Sequence, residues 1–225
     1  MIWLFDIDGT LIHTAGAGSS AMAQALSAAF GVPADLTEIR FAGRTDRGII
    51  EDLFRIHRIE FTSSNFAIFH HAYLERLPAA LRARDGQILT GVVHWLDRIE
   101  ARLSASALGL LTGNMGASAR LKLEHFGIWH RFAFGGYGDL HVHRNDVAAE
   151  ALRAAGAHRN GPVRPEQVWV VGDTPHDIEC ARSQGANVIA VATGGHSAEE
   201  LAMHSPDILL QDLSCVAVLD RLLPS

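Results

Sequence analysis

Short apolar runs without alternation recur along the chain: MIWLF at 1–5, ALGLL at 107–111, VWVV at 168–171 and VIAVA at 188–192. Each gives way at once to small or polar residues, in DIDGT, TGN, GDT and TGG. Runs of this length predict parallel strands covered on both faces. Between them the apolar positions change to helical spacing. Val92, Trp95, Leu96, Ile99 and Leu103 form one such stripe, and Val147, Ala151, Leu152 and Ala155 another. Leu121, Leu123 and Phe126 follow the spacing more weakly. Strands alternating with helices predict right-handed βαβ units, and hence an α/β fold built on a doubly wound parallel sheet.

The stretch between the first two strands breaks this rhythm. Residues 15–85 hold no strand pattern but several helical ones: Ala21 to Phe30, Ile49 to Ile56, and a third carried by Phe66, Phe69, Tyr73, Leu74 and Leu77. Ser63 or Ser64 is the expected N-cap of the third. The pattern predicts an α/β core of residues 1–14 and 86–225 with an inserted all-helical domain at 15–85. Gly16 and Gly18 are the expected outgoing hinge and Asp85-Gly86 the return. Ser197 to Glu200 reads as a capping box opening a later helix.

Composition narrows the function classes. Across 225 residues, 48% are hydrophobic, and 25 acidic against 19 basic side chains give a net charge of −6. Such a chain can bury a core without staples, and the acidic balance argues against nucleic acid as the main partner. All the cations are Arg except Lys122. Cys180 and Cys215 form no CxxC pair, which fits a reducing, cytoplasmic setting, and both are expected as core filler in helices. No apolar run approaches the roughly 20 residues of a membrane helix, and MIWLF lacks the basic start of a secretory leader.

In open α/β sheets, ligands bind beyond the carboxyl ends of the strands. Those ends present Asp6, Asp8, Gly9 and Thr10, then Thr112, Gly113 and Asn114, then Gly172, Asp173, Thr174 and Asp177. Four carboxylates converging on one rim repel unless a cation neutralises them. A hard ion with oxygen ligands answers this, and Mg2+ is the expected one.

The motifs DIDGT at 6–10, LLTGN at 110–114 and VVGDTPHD at 170–177, in this order and with a helical insert after the first, resemble the haloacid dehalogenase superfamily in its phosphoglycolate-phosphatase-like branch, which carries a helical cap. The resemblance implies a Mg2+-dependent phosphatase acting on a small phosphorylated metabolite. Asp6 would be the nucleophile that forms an aspartyl-phosphate, and Asp8 the acid and base for the leaving oxygen and the incoming water. Asp6, the Asp8 carbonyl and Asp173 would hold the metal, with Asp177 on a metal water or orienting its neighbours. Thr112 and the Gly113 amide would meet phosphoryl oxygens, beside Asn114, while Gly9 and Thr10 shape the loop. An acidic residue at position 8 separates phosphatases from the dehalogenases of this superfamily. A phosphomutase of the β-phosphoglucomutase type, or a non-catalytic binding module of the same fold, remains the alternative, and the chain would act as a monomer or homodimer.

Several positions stay open at this level. The superfamily's remaining cation, usually Lys, has no direct match; Arg144, at the start of a helix, is better placed than Lys122. Asp177 either serves the site or caps the helix that follows. Arg44 either pairs with an anionic substrate group or decorates a helix start. His13 lies at the entrance to the helical insert, where a structural role outweighs a substrate contact. The DxDG of 6–9 fails as a calcium loop, because Ala17 stands where Glu is needed. Gly16-Ala-Gly18-Ser-Ser-Ala21 falls too far from a strand end for a dinucleotide fingerprint.

Overall fold

A computed structural model describes residues 1–33, 36–103 and 107–224. Its main sheet has six parallel strands: β1 (Ile2–Phe5), β4 (Leu108–Leu111), β5 (Phe134–Gly136), β6 (Val168–Gly172), β7 (Asn187–Val191) and β8 (Ile208–Leu210). Their order is β5-β4-β1-β6-β7-β8, with Phe5 opposite both Leu110 and Val171. β1 therefore sits centrally, between the two strands that carry the other motifs. At such a switch point the loops on either side diverge and leave a crevice.

Alternation along β1 supplies both faces of the core. Trp3 and Phe5 pack with Trp95, Leu96 and Ile99 of α4 (Val92–Leu103) and with Leu219 of α9 (Val216–Leu222). Ile2 and Leu4 face the opposite layer, where α6 (Arg144–His158) and α7 (Pro175–Ser183) contribute Ala148, Ala151, Ile178 and Ala181. The small residues of α6 let it lie close on the sheet: a Cβ on Gly136 of β5 would strike the Val147 carbonyl. α5 (Gly116–His125) follows β4, and α8 (Ala198–Ala202) opens on the Ser197–Glu200 capping box anticipated from the sequence.

The helical stretch consists of α1 (Ala17–Phe30), α2 (Asp46–Ile56) and α3 (Ser63–Arg82). These share their own cluster, including Met22, Leu26, Leu53, Phe54, Phe69 and Leu77, joined by Met115 from the sheet side. A two-stranded antiparallel ribbon, β2 (Ile12–His13) with β3 (Gln87–Ile88), binds the outgoing and returning chain together.

Some local expectations change. Thr62, not Ser63 or Ser64, caps α3, accepting from the Asn65 amide. Gly16 is the left-handed N-cap of α1, but Gly18 lies inside that helix and is not part of a hinge. Cys180 is buried in α7, whereas Cys215 is exposed just before α9. Among the described residues no helix is long and apolar enough to cross a membrane.

Candidate active site

The first motif leaves the sheet where β1 ends. The Asp6 amide still donates to the Val171 carbonyl at 3.0 Å, which fixes the start of the loop against β6. Gly9 then turns the chain at φ 82°, where a Cβ would also collide with the Asp173 carboxylate. The Thr10 hydroxyl donates to Asp173 Oδ1 at 3.0 Å, tying the first motif to the third.

Asp6, Asp173 and Asp177 are all buried, and each offers a carboxylate oxygen within 4.8 Å of the others. Burial, with the neighbouring Asp177 and Asp8 charges, pushes the Asp6 carboxyl up to about 6 against the opposing pull of Arg144. Burial, Asp177 and Asp6 hold Asp173 well above the ordinary carboxylate range. Three acids that resist ionising together are stabilised by a shared cation, and an all-oxygen donor set suits a hard divalent ion. On this chemistry the cluster could hold a metal.

Asp177 also answers a local need. One of its oxygens accepts from the Thr174 amide at 3.0 Å and the Thr174 hydroxyl at 2.7 Å, completing a capping box at the start of α7, where Pro175 has no N–H that needs an acceptor. Its other oxygen accepts from Arg144 Nη2. Helix cap and member of the acidic cluster are therefore the same side chain. Arg144, buried at the start of α6, also reaches Asp6 Oδ2 at 3.3 Å. Burial alone would lower its pKa, but Asp177 and Asp6 outweigh this and hold it charged.

Asp8 faces different partners. Its carboxylate is 42% exposed and accepts from Lys122 Nζ at 2.6 Å and Asn114 Nδ2 at 2.8 Å. Its side chain stands apart from the three-acid cluster, so only its carbonyl is available for the metal role that the resemblance implies. Lys122 Nζ also donates to Asn114 Oδ1 at 2.6 Å. Thr112 is fully buried; its hydroxyl accepts from the Asn114 amide and side chain.

Asp6, Asp8, Lys122, Arg144 and Asp173 line a cavity of about 460 Å3 between the strand ends and the helical layer, whereas Thr112, expected at a phosphoryl oxygen, and Asp177 are buried and do not line it. Gly9, Gly113, Asn114, His13 and Arg44 line it too. His13 is otherwise exposed on β2. The Arg44 guanidinium is engaged within the helical layer, pairing with Asp52 at 2.7 Å and donating to the Gly48 carbonyl at 3.1 Å. Three further wall residues escaped the sequence reading. Tyr73 on α3 lines the cavity and carries a buried hydroxyl that makes no well-formed hydrogen bond, with Ser118 beside it; Asp46 begins α2; Thr193 donates to the Gly9 carbonyl at 2.6 Å. Only the TGG following β7 offered a hint of Thr193. Tyr73 sits at an ordinary core position of a helical stripe, and nothing in its spacing marks it.

Comparisons with known proteins agree with this architecture. The family model for haloacid dehalogenase-like hydrolases matches residues 3–191. Phosphoglycolate phosphatase of Mesorhizobium japonicum is 28% identical over 86% of this chain and 83% of its own. Phosphoglycolate phosphatase of Agrobacterium fabrum is 24% identical over 95% and 89%. Among solved structures, a hydrolase from Pseudomonas syringae superposes with a TM-score of 0.75 at 19% identity, covering 99% of both chains. With its motifs on the rim of a six-stranded parallel sheet and a family match across most of its length, the chain belongs to the haloacid dehalogenase-like hydrolases.

Proposed function

We propose that the chain is a Mg2+-dependent phosphatase that hydrolyses a small phosphomonoester through an aspartyl-phosphate on Asp6. The observation that carries this reading is the buried Asp6, Asp173 and Asp177 cluster with Arg144 against Asp6, at the floor of the cavity between the strand ends and the helical layer. Its relatives named phosphoglycolate phosphatase support a small phosphorylated substrate.

In this mechanism Asp6 attacks phosphorus as the bond to the leaving oxygen breaks, and Asp8 gives that oxygen its proton. Water then attacks the aspartyl-phosphate while Asp8 takes the proton back, freeing Asp6 and inorganic phosphate. Mg2+ held by Asp6, Asp173 and the Asp8 carbonyl, with Asp177 behind them, would neutralise charge on the phosphoryl group. Arg144 holds Asp6 in line, and Gly113 on the cavity wall offers its amide to a phosphoryl oxygen. Lys122 and Asn114 fix the Asp8 carboxylate on the leaving-group side. Residues 15–85 act as a cap that excludes bulk water and restricts substrate size.

A panel of small phosphate esters assayed with and without Mg2+ tests the reading, with free phosphate and isomerised ester both followed. Metal-dependent phosphate release that vanishes in Asp6→Asn is expected. Isomerisation without release would assign a mutase instead, and turnover surviving Asp6→Asn would remove Asp6 as nucleophile.

A further inference from the structure

Helix α5 begins immediately after the Thr112–Asn114 loop, yet its own sequence does not finish its N-terminus. Its N-cap is Met115, which has no capping side chain, and its first turn holds no acidic residue. Free amides at a helix start need acceptors and favour negative charge. Here the acceptors come from elsewhere. The Met115 amide donates to Asp46 Oδ2 at 2.9 Å, and the Ser118 hydroxyl shares its one proton between the same oxygen at 3.1 Å and the Met115 carbonyl at 2.9 Å. The Gly116 amide is taken by Asp139 Oδ2 at 2.8 Å.

Asp46 belongs to the other layer, in the first turn of α2. The contact extends along its backbone: the Asp46 amide donates to the Gly113 carbonyl at 2.7 Å. Thr45 Oγ1 donates to the Val142 carbonyl at 3.0 Å, and Arg47 Nη1 to the Asp139 carbonyl at 3.3 Å. The approach is so close that a Cβ on Gly113 would strike the Arg44 carbonyl. Glycine at 113 therefore serves the docking of the two layers as well as the loop itself.

We propose that Asp46 is a positioning residue: from the helical layer it caps α5, and so sets the loop through which Asn114 holds Asp8. Closing of the helical layer and ordering of the Thr112–Asn114 loop are then one event. Asn114 is the link, since its side chain donates to Asp8 while its carbonyl accepts from the Gly138 amide at 2.8 Å. The catalytic consequence rests on the phosphatase reading; the structural coupling does not.

Amide exchange and p-nitrophenyl phosphate turnover, measured on the same full-length proteins, test this. In Asp46→Ala, exchange at the Met115 amide is expected to rise by about tenfold or more. Its kcat should fall about ten- to a hundredfold, with KM changed much less, because a loop displaced by a fraction of an ångström misplaces Asp8. Asp46→Asn keeps an acceptor oxygen and should stay within about threefold of wild type on both readouts. Should Asp46→Ala fail to fold, Ser118→Ala takes its place, with slowed turnover at an unchanged melting temperature expected. Unchanged Met115 exchange in Asp46→Ala, equal losses in the Ala and Asn variants, or wild-type turnover in Ser118→Ala would each overturn the proposal. A wild-type protein inert toward p-nitrophenyl phosphate would count against the phosphatase reading, while the exchange data would still decide the coupling.

Discussion

Lys122 and Asp8 lie 114 positions apart in the chain, yet their charged groups meet at 2.6 Å on the cavity wall. Arg144 meanwhile serves Asp6 and Asp177. A sequence comparison that seeks one motif cation thus meets two, each facing a different carboxylate. Lys122→Met should lower kcat for p-nitrophenyl phosphate by about 10²-fold, the low end of what a general acid supplies, because Asp8 loses its main tether. The Mg2+ concentration for half-maximal activity should stay near wild type. A shift in that concentration with kcat intact would move Lys122 to the metal side.

Arg144→Ala should act first on stability. It leaves Asp6 and Asp177 buried beside Asp173 without their cation, and breaking a buried pair in this way costs about 3–5 kcal/mol. Urea unfolding in EDTA measures the loss, and added Mg2+ should recover part of it. Equal stability of variant and wild type in EDTA would contradict the account.

If the acidic cluster takes a divalent ion, the folded protein gains by mass action. Mg2+ at a hundred times its dissociation constant should add about 2.7 kcal/mol, seen as a melting temperature that climbs with Mg2+ and returns with EDTA. Asp173→Asn should lose that response. A melting curve indifferent to Mg2+ in the wild type would argue against the site.

Asp46 gives the clearest pH signature. Burial, against the favourable pull of Lys122 and the Met115 amide, pushes its carboxyl from 3.8 up to about 6. The folded chain then holds a proton there that the unfolded chain releases, so this contribution is most favourable below pH 4 and is lost as pH rises through about 6. Asp46→Asn lacks the titration. Its stability relative to wild type should be near zero at pH 4 and rise to a gain on the order of 3 kcal/mol at pH 7. Denaturant melts across that range check it, and a constant difference would refute it.

Tyr73 carries a buried hydroxyl that makes no well-formed hydrogen bond, with the Ser118 side chain its nearest polar neighbour, and burial with the nearby Asp46 and Asp8 charges keeps it a neutral phenol. Tyr73→Phe should be neutral or stabilising by about 1 kcal/mol, because an unmet desolvation cost disappears. If the hydroxyl contacts the substrate's leaving group, KM rises at the same time. A destabilised variant would show that the hydroxyl has a structural partner.

The sheet strands bearing the motifs were legible because burial on both faces leaves unbroken apolar runs, as in VWVV before Gly172-Asp173. β5 was not, since Phe134-Gly-Gly136 has the glycines that strand propensity disfavours; the close backbone of α6 demands Gly136, and the Tyr137 ring crowds Gly135. β8 is a three-residue edge, and β2 and β3 have two residues each, too short for any period to register. Within the site, Asp6, Asp8 and Asp173 stood out by their place at strand ends. The second use of Asp177 as a cap was open as an alternative, and its geometry combines both. Asp46 and Tyr73 were silent for a different reason: their importance comes from what the helical layer touches when folded back, which no local spacing encodes.

The β2–β3 ribbon binds departure and return of the helical segment at one place, with Ile12 opposite Ile88. Every residue of the roof is consequently an excursion from a single doorway, and none of it sets the alignment of the six long-range strand partners. Lengthening, trimming or exchanging that excursion, so long as Asp46 stays against Gly113 and Met115, leaves the parallel strands and the loops they carry in register. Selection for new metabolites can therefore work on the roof while the floor stays as it is.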